Sequence, residues 1–326
     1  MRHLKRTLTL ALGTSALAVS QLASAAFPER PITMVVPYAP GGITDNFGRA
    51  IADGMSRALN QPVVVENKPG ASAMIGTAQV SRAQPDGYTI LLGSHGTLTL
   101  NPLLRSKISY DAEKDFAVFA MAGEVPTVLL ARPDAPFNNL KEFEQHAKQN
   151  PGKLNYASVG AGNVMHIVTV KLMADMGIDM THVPYKGSSP AHMGMLGNEA
   201  QFMTDVVPSS FTLVQAGRLK PLAVASNKRL AALPNVPTFE EAGYGKFHAS
   251  SWIGFAAPAG TPPDVLATLQ AAANKAIADP KLRQTFINLG MEMSEPMNNE
   301  QIQTFLKEDR QYWKDLVQEH KIPMVD

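Results

Sequence analysis

Residues 32–45 read ITMVVPYAPGGITD: five apolar or β-branched residues, a Pro-Tyr break, a glycine pair, then Thr44 and Asp45 heading a segment whose apolar residues recur at helical spacing. The pattern is that of a buried strand turning into an amphipathic helix. It returns in TILLGSHGTL (residues 89–98) and in LNYASVGAGNVMH (residues 154–166). The first amides of a helix lack an intrahelical acceptor and carry partial positive charge, so each turn is a natural seat for an anion. None of the turns carries a catalytic constellation, and the chain reads first as something that captures a negatively charged small molecule.

Outward from that stretch, strands and helices alternate. Thr44 and Asp45 are expected to cap a helix carrying Phe47, Ile51, Met55 and Leu59, with Ala50 and Ala58 beside them. Asp45 and Arg49, four apart, read as a surface pair contributing roughly 0.3–0.5 kcal/mol. Residues 62–66 (PVVVE) form the next strand, 67–70 a turn, 75–83 a short helix, 85–87 a turn and 88–92 a third strand. Such alternation implies a parallel sheet with right-handed crossovers. The apolar run 119–132, with Pro126 inside it, suits a segment crossing between two lobes. A second set follows, with strands expected at 154–159, 182–184, 200–204 and 219–225 and helices at 140–150, 164–176, 190–196 and 209–216. WIGFAAP (252–258) is the return to the first lobe, and helices at 262–278 and 301–320 close the chain. The expected division is residues 26–126 with 253–326 as lobe 1 and 127–252 as lobe 2.

The N-terminus has the three parts of a secretory signal peptide: Arg2, Lys5 and Arg6, an apolar stretch over residues 8–19, and Ala23-Ser24-Ala25. Cleavage is expected after Ala25, releasing a soluble exported protein. The chain has no cysteine, so disulfides and a lipid-bearing first residue are both excluded. The formal charge of +1 becomes −2 once the three basic leader residues are removed. A nearly neutral protein lacks the basic stripe that a nucleic-acid partner demands.

The chain resembles the extracytoplasmic solute receptors of the tripartite tricarboxylate transporter family, also called Bug-type binding proteins. The segments that carry the resemblance are FPERPITMVVPYAPGGITD, QPVVVENKPGASAMIG, AQPDGYTILLGSHGT, YDAEKDFA, NPGKLNYASVGAGNVMH, THVPYKGSSPA, AGRLKPLAVAS, LPNVPTFEEAGY and WIGFAAPAGTP, in order through the mature chain. It implies an α/β, type II periplasmic-binding-protein fold, with two α/β lobes joined by a hinge around a central cleft. It also implies a periplasmic, non-enzymatic monomer that binds a small carboxylate and needs no cofactor, with membrane transporter subunits or a sensor as partner. Three departures stand out: Pro69-Gly70-Ala71-Ser72-Ala73 where the family reads PGAGG, Asn163 in place of a small hydroxyl residue, and Val170 in place of a glutamate.

The ligand contacts expected on the first loop are Tyr38, Gly41, Gly42, Ile43 and Thr44, the glycines permitting close backbone approach. The plainer reading is a turn with a helix cap. On the second loop Ser94, His95, Gly96 and Thr97 offer two hydroxyls and an imidazole. Neighbouring Ser94 and His95 do not make a catalytic pair, since a triad is defined by spatial geometry and not adjacency. On the third, Gly160, Ala161, Gly162 and Asn163 face from the other lobe, while His166 either touches ligand or braces the loop. Gly160-x-Gly162 begins like a dinucleotide fingerprint, but Met165 stands where that motif needs glycine or alanine. Ser158 lacks the preceding glycine of a nucleophile elbow, its place being taken by Tyr156. Asp205 is expected at the cleft as an acceptor, or else as a helix cap. His166, His182 and His192 have no recognised metal-ligand spacing.

None of the three loops contains Arg or Lys. Hydrogen bonds to a charged group contribute about 1.5–3 kcal/mol each, so three or four could supply the roughly 8 kcal/mol of a micromolar complex without a basic residue. Two other readings stay open: a receptor that signals to a membrane sensor, and an exported hydrolase. The identity of the ligand is left to positions such as Ile43, His95, Asn163 and Val207.

Overall fold

The computed structural model describes residues 27–160, 162–245 and 249–325. The expected leader with its cleavage site, and Ala161 of the third turn, lie outside the described residues. The opening stretch forms β1 (Ile32–Val36) and α1 (Ile43–Leu59). Strand β1 is apolar except for the partly buried Thr33, because both of its faces are covered. Ile32, Met34 and Val36 pack with Phe47, Ile51 and Met55 of α1 and with Leu269 and Ala273 of α8 (Pro263–Ile277). Val35 points the other way, into a cluster with Leu91, Trp252, Ile302 and Leu306. Helix α1 lies close on α8, and a side chain at Gly54 would run into Ala276.

Parallel pairing holds within each half of the sheet. Strand β1 lies between β2 (Val63–Asn67) and β3 (Thr89–Ser94), and farther along β5 (Asn155–Ser158) lies between β6 (Thr181–Pro184) and β7 (Phe202–Val206). The halves are joined by antiparallel strands, which makes the sheet mixed. The connecting element is β4 (Phe116–Ala131), whose first part pairs with β9 (Ser250–Pro258) and whose second part pairs with β7 and β8 (Lys220–Ala225). Strand order is β2-β1-β3-β9-β4-β7-β5-β6, with β8 and the short β10 (Glu292–Met293) also on β4. The changeover falls at Pro126, which stands opposite Ser250, and Thr127 begins the pairing with Val206 and Ala225. A proline has no amide to offer a ladder, so it suits the place where one ladder hands over to another.

Helices α2 (Met74–Ser81), α3 (Asn101–Leu104), α4 (Leu140–Gln149), α5 (Val164–Met176), α6 (Ser188–Leu196) and α7 (Val207–Gln215) follow the strands. Three elements go beyond the sequence reading, α3, β10 and α9 (Pro280–Asn288). Asp279 caps α9, accepting from the amides of Lys281 and Leu282, and Pro280 opens it. The last helix, α10 (Asn299–Glu319), starts with a capping box between Asn298 and Gln301. Its residues Ile302 and Leu306 share a cluster with Val35, whereas Trp313 and Leu316 share one with Phe143 and Phe202. This helix therefore contributes to the cores of both halves.

Candidate functional site

The first loop differs from its sequence reading in two respects. The residue capping α1 is Gly42, with Thr44 inside the first turn, and Asp45 is no surface partner of Arg49, since its side chain is only 2% exposed. One carboxylate oxygen of Asp45 accepts from the Gly41 amide (2.8 Å) and Arg49 Nε (3.1 Å), and the other accepts from Asn67 Nδ2 (2.8 Å). Asn67 Nδ2 also donates to the Tyr38 carbonyl at 3.1 Å, so a single carboxylate ties the turn to the end of β2. Burial works to raise the Asp45 pKa, but the bonds from Arg49, Gly41 and Asn67 outweigh it and hold the carboxyl below its ordinary value. The Gly41 amide is thereby already committed. The amides of Ile43 and Thr44, the first two of the helix, have no intrahelical acceptor.

The second loop is a π-helical turn, Gly96–Leu100, running into α3. Ser94 and Thr97 hold it: the Ser94 amide donates to Thr97 Oγ1 (3.0 Å), and Thr97 Oγ1 donates back to the Ser94 carbonyl (3.0 Å). Ser94 Oγ also meets the Tyr38 hydroxyl at 2.6 Å, linking the first loop to the second. Burial raises the Tyr38 pKa, with the Ser94 bond acting against it. His95 turns into the core. Its ring is fully buried, centred 4.6 Å from that of Trp313 and 6.5 Å from that of Trp252. Its Nε2 is 3.8 Å from an oxygen of Asp309. The other Asp309 oxygen accepts from Thr99 Oγ1 (2.7 Å) and Trp252 Nε1 (2.9 Å), so α10 anchors the second loop and a crossing strand together.

In the third loop Gly160 and Gly162 have φ of +126° and +71°, conformations that favour glycine. Asn163 caps α5: its Oδ1 accepts from the His166 amide (3.0 Å) and its Nδ2 donates to the Gly160 carbonyl. The side-chain oxygen that a hydroxyl residue would supply at this cap is thus supplied by an amide. His166 braces the loop, its Nδ1 accepting from the Gly162 amide at 3.2 Å. Its ring stacks on His182 at 4.4 Å, and burial followed by the neighbouring His182 pushes its pKa down to about 4. Ser158 Oγ lies 2.7 Å from His182 Nε2 and accepts from the Gly160 amide at 3.1 Å.

Asp205 at the end of β7 is wholly buried. It accepts from Ser188 Oγ (2.9 Å), the Val206 amide (2.8 Å) and His192 Nε2 (2.8 Å), which fixes α6 against the sheet.

Between the two halves, beyond the ends of β1, β3, β5 and β7, is a cavity of about 450 Å³. Tyr38, Gly96, Gly160, Gly162 and Asn163 line it, so residues of all three loops meet at one hollow. Gly41, Gly42, Ile43 and Thr44 are not part of this wall, nor are Ser94, His95, Thr97, His166 and Asp205, which stand behind or beside it. Val164 and Met165 do line it, and as the first residues of α5 their amides lack intrahelical acceptors. The remaining wall includes Asn101 and Arg105, which the sequence reading passed over, and Ser72, which it marked only as part of the departure from PGAGG. A larger groove, about 540 Å³, runs outside between α10 and residues 98–113; it meets the second turn at Leu98 and Thr99 and touches neither the first nor the third.

The model of the tripartite tricarboxylate transporter family receptor matches residues 47–322. The structure of the periplasmic binding protein BugD is similar, with 38% identity and a TM-score of 0.79, over 91% of this chain and 99% of that one. So is MatC from Rhodopseudomonas palustris with bound malate: 33% identity, TM-score 0.78, over 89% and 100% of the two chains. A third, an R. palustris protein with adipate, has 29% identity and a TM-score of 0.82, over 91% and 99%. The fold is that of a two-lobed periplasmic binding protein, and the chain belongs to the tripartite tricarboxylate transporter receptor family.

Proposed function

We propose that the mature chain is a periplasmic solute receptor that captures a small carboxylate in the cavity between its halves and presents it to membrane transporter subunits. The observation that carries this reading is the convergence of Tyr38, the Gly96 turn and the head of α5 on one hollow. There a carboxylate would accept from the Val164 and Met165 amides, the Gly96 amide and the Tyr38 hydroxyl. A pocket of this size suits a molecule of a few carbons, and the malate and adipate in similar proteins are of that class. The Ile43 and Thr44 amides are a further set of donors for a ligand extending past Tyr38.

Capture would proceed by closure of residues 26–126 with 253–326 against 127–252, about strands β4 and β9, except that the end of α10 bearing Trp313 and Leu316, packed in the core of the second half, would move with that half. A ligand shifts that equilibrium only by binding the closed form better, and donors from both halves in one cavity are the arrangement that does so. Ser158 beside His182 raises the alternative of a hydrolase. Ser158 is fully buried and its hydroxyl is bound to both backbone groups of Gly160, which suits a loop brace and not a nucleophile. The test is a thermal-shift screen of residues 26–326 against carboxylic acids and their neutral amides. A ligand at 100 times its dissociation constant should stabilise by about 2.7 kcal/mol. Acids are expected to stabilise and amides not, and equal shifts from both would overturn the reading.

A further inference from the structure

The cavity holds a cation outside the glycine turns. Arg105 follows α3, and its guanidinium is fixed from two sides: Nε donates to Asn101 Oδ1 at 3.0 Å and Nη2 donates to Ser72 Oγ at 2.7 Å. Asn101 Nδ2 donates in turn to the Ser72 carbonyl at 2.9 Å, so the three residues form a closed ring of hydrogen bonds, and all three line the cavity. Among the described residues no carboxylate lies within ion-pair distance of Arg105; Arg82 and Arg218 likewise have no acidic partner there, but of the three only Arg105 lines the cavity. An arginine held by neutral groups in a hollow keeps its full charge and the rest of its donor fork for something else.

The tether is made at a local cost. Ala71, Ser72 and Ala73 have φ of 47°, 53° and 71°, three consecutive left-handed residues, none of them glycine. L-residues adopt that region with strain. With glycine at position 72 the backbone would relax, but the hydroxyl that holds Nη2 would be gone. Backbone strain maintained beside a cavity, and used to aim a charged side chain into it, points to a ligand contact.

We propose that Ser72, Asn101 and Arg105 form a second anion seat, so that the receptor selects molecules bearing two anionic groups, one on the amides of the glycine turns and one on Arg105. This rests on the carboxylate reading above. Arg105 is then a specificity-determining residue: it adds affinity for a diacid and little for a monoacid.

The test is calorimetric titration of residues 26–326 with succinate, malate, glutarate and adipate, each against its monomethyl ester. The wild type should bind at least one diacid about tenfold or more tighter than the ester, the range set by a hydrogen bond to a charged group. Arg105→Gln should weaken the diacid by roughly ten- to hundredfold and the ester by less than about threefold. Arg105→Lys should recover part of the loss, and Ser72→Ala should lower the preference while Arg105 stays in place. Equal affinity for diacid and ester in the wild type would overturn the second seat and leave the first standing, and so would equal weakening of both by Arg105→Gln. That wild-type ratio decides the matter even if the variants fold poorly. Binding of neither acids nor esters would overturn the carboxylate reading and this inference with it.

Discussion

Asp45→Ala removes the carboxylate that holds the first loop to the end of β2. The carboxylate accepts three hydrogen bonds, from the Gly41 amide, from Asn67 Nδ2 and from Arg49 Nε. The Arg49 side chain is half exposed to water, so that bond is discounted as a surface pair. The other two are bonds to an ionised and buried acceptor, about 1.5 kcal/mol each, for a total near 3 kcal/mol. With an unfolding entropy of about 2.1 cal/mol/K per residue over roughly 300 residues, that loss corresponds to a fall in Tm of about 5 °C. The dependence on pH has a definite sign. Because the folded pKa of Asp45 lies below its ordinary value, its contribution is full above pH of about 4 and is lost as the pH falls through the folded pKa. Calorimetry of wild type and Asp45→Ala at pH 7 and pH 3 is the assay, and the gap in Tm should be several degrees at pH 7 and shrink in acid. A gap under 1 °C at pH 7, or one that widens in acid, would refute the view of Asp45 as the clasp of the first loop.

Two further outcomes follow from buried groups. His166 is neutral in the fold with a pKa of about 4, so it favours the folded state fully above pH 6.5 and the stabilisation fades as the pH falls from 6.5 toward 4, by on the order of 3 kcal/mol. NMR titration of the imidazole together with urea melts at pH 7 and pH 4.5 checks this, and a His166 midpoint near 6.5 would contradict it. Asp309→Ala would strand the buried donors of Thr99 and Trp252 at a cost of about 3 kcal/mol, whereas Asp309→Asn, which keeps an acceptor, should lose about half as much. Denaturation followed by tryptophan fluorescence measures both, and an alanine variant within about 1 kcal/mol of wild type would count against α10 as the anchor of the second loop.

Regular elements were legible where the chain obeys a single period. Helix α5 runs over the residues that the 3.6-residue pattern after Gly162 marks, and β1 is the apolar run before Pro37. Helix α9 was missed because it is short and largely polar, although Asp279 followed by Pro280 is a start signal that could have been read. At the site, the glycine turns identify the ends of the strands but not which of their side chains face the hollow. Ser94 and Thr97 satisfy one another across three residues, a local arrangement that two hydroxyls in a turn can always choose over a ligand. His95 is drawn inward by Trp313 and Asp309, more than two hundred positions later, and no local pattern carries that information. Arg105 sits past a one-turn helix with no periodicity to place it. The departure from PGAGG marked Ser72 as unusual, and its left-handed backbone bears that out, but no pattern in the sequence ties it to Arg105, thirty-three positions later.

The proposed site rests a carboxylate on main-chain donors from both halves of the molecule. A crystal structure of residues 26–326 with an acid that stabilises them tests it most directly. One carboxylate should lie in the cavity between the halves, at hydrogen-bonding distance, about 2.7–3.2 Å, from the Val164 or Met165 amides and from the Gly96 turn or Tyr38 hydroxyl. A ligand seated in the groove against α10, or bound by one half alone, would contradict it.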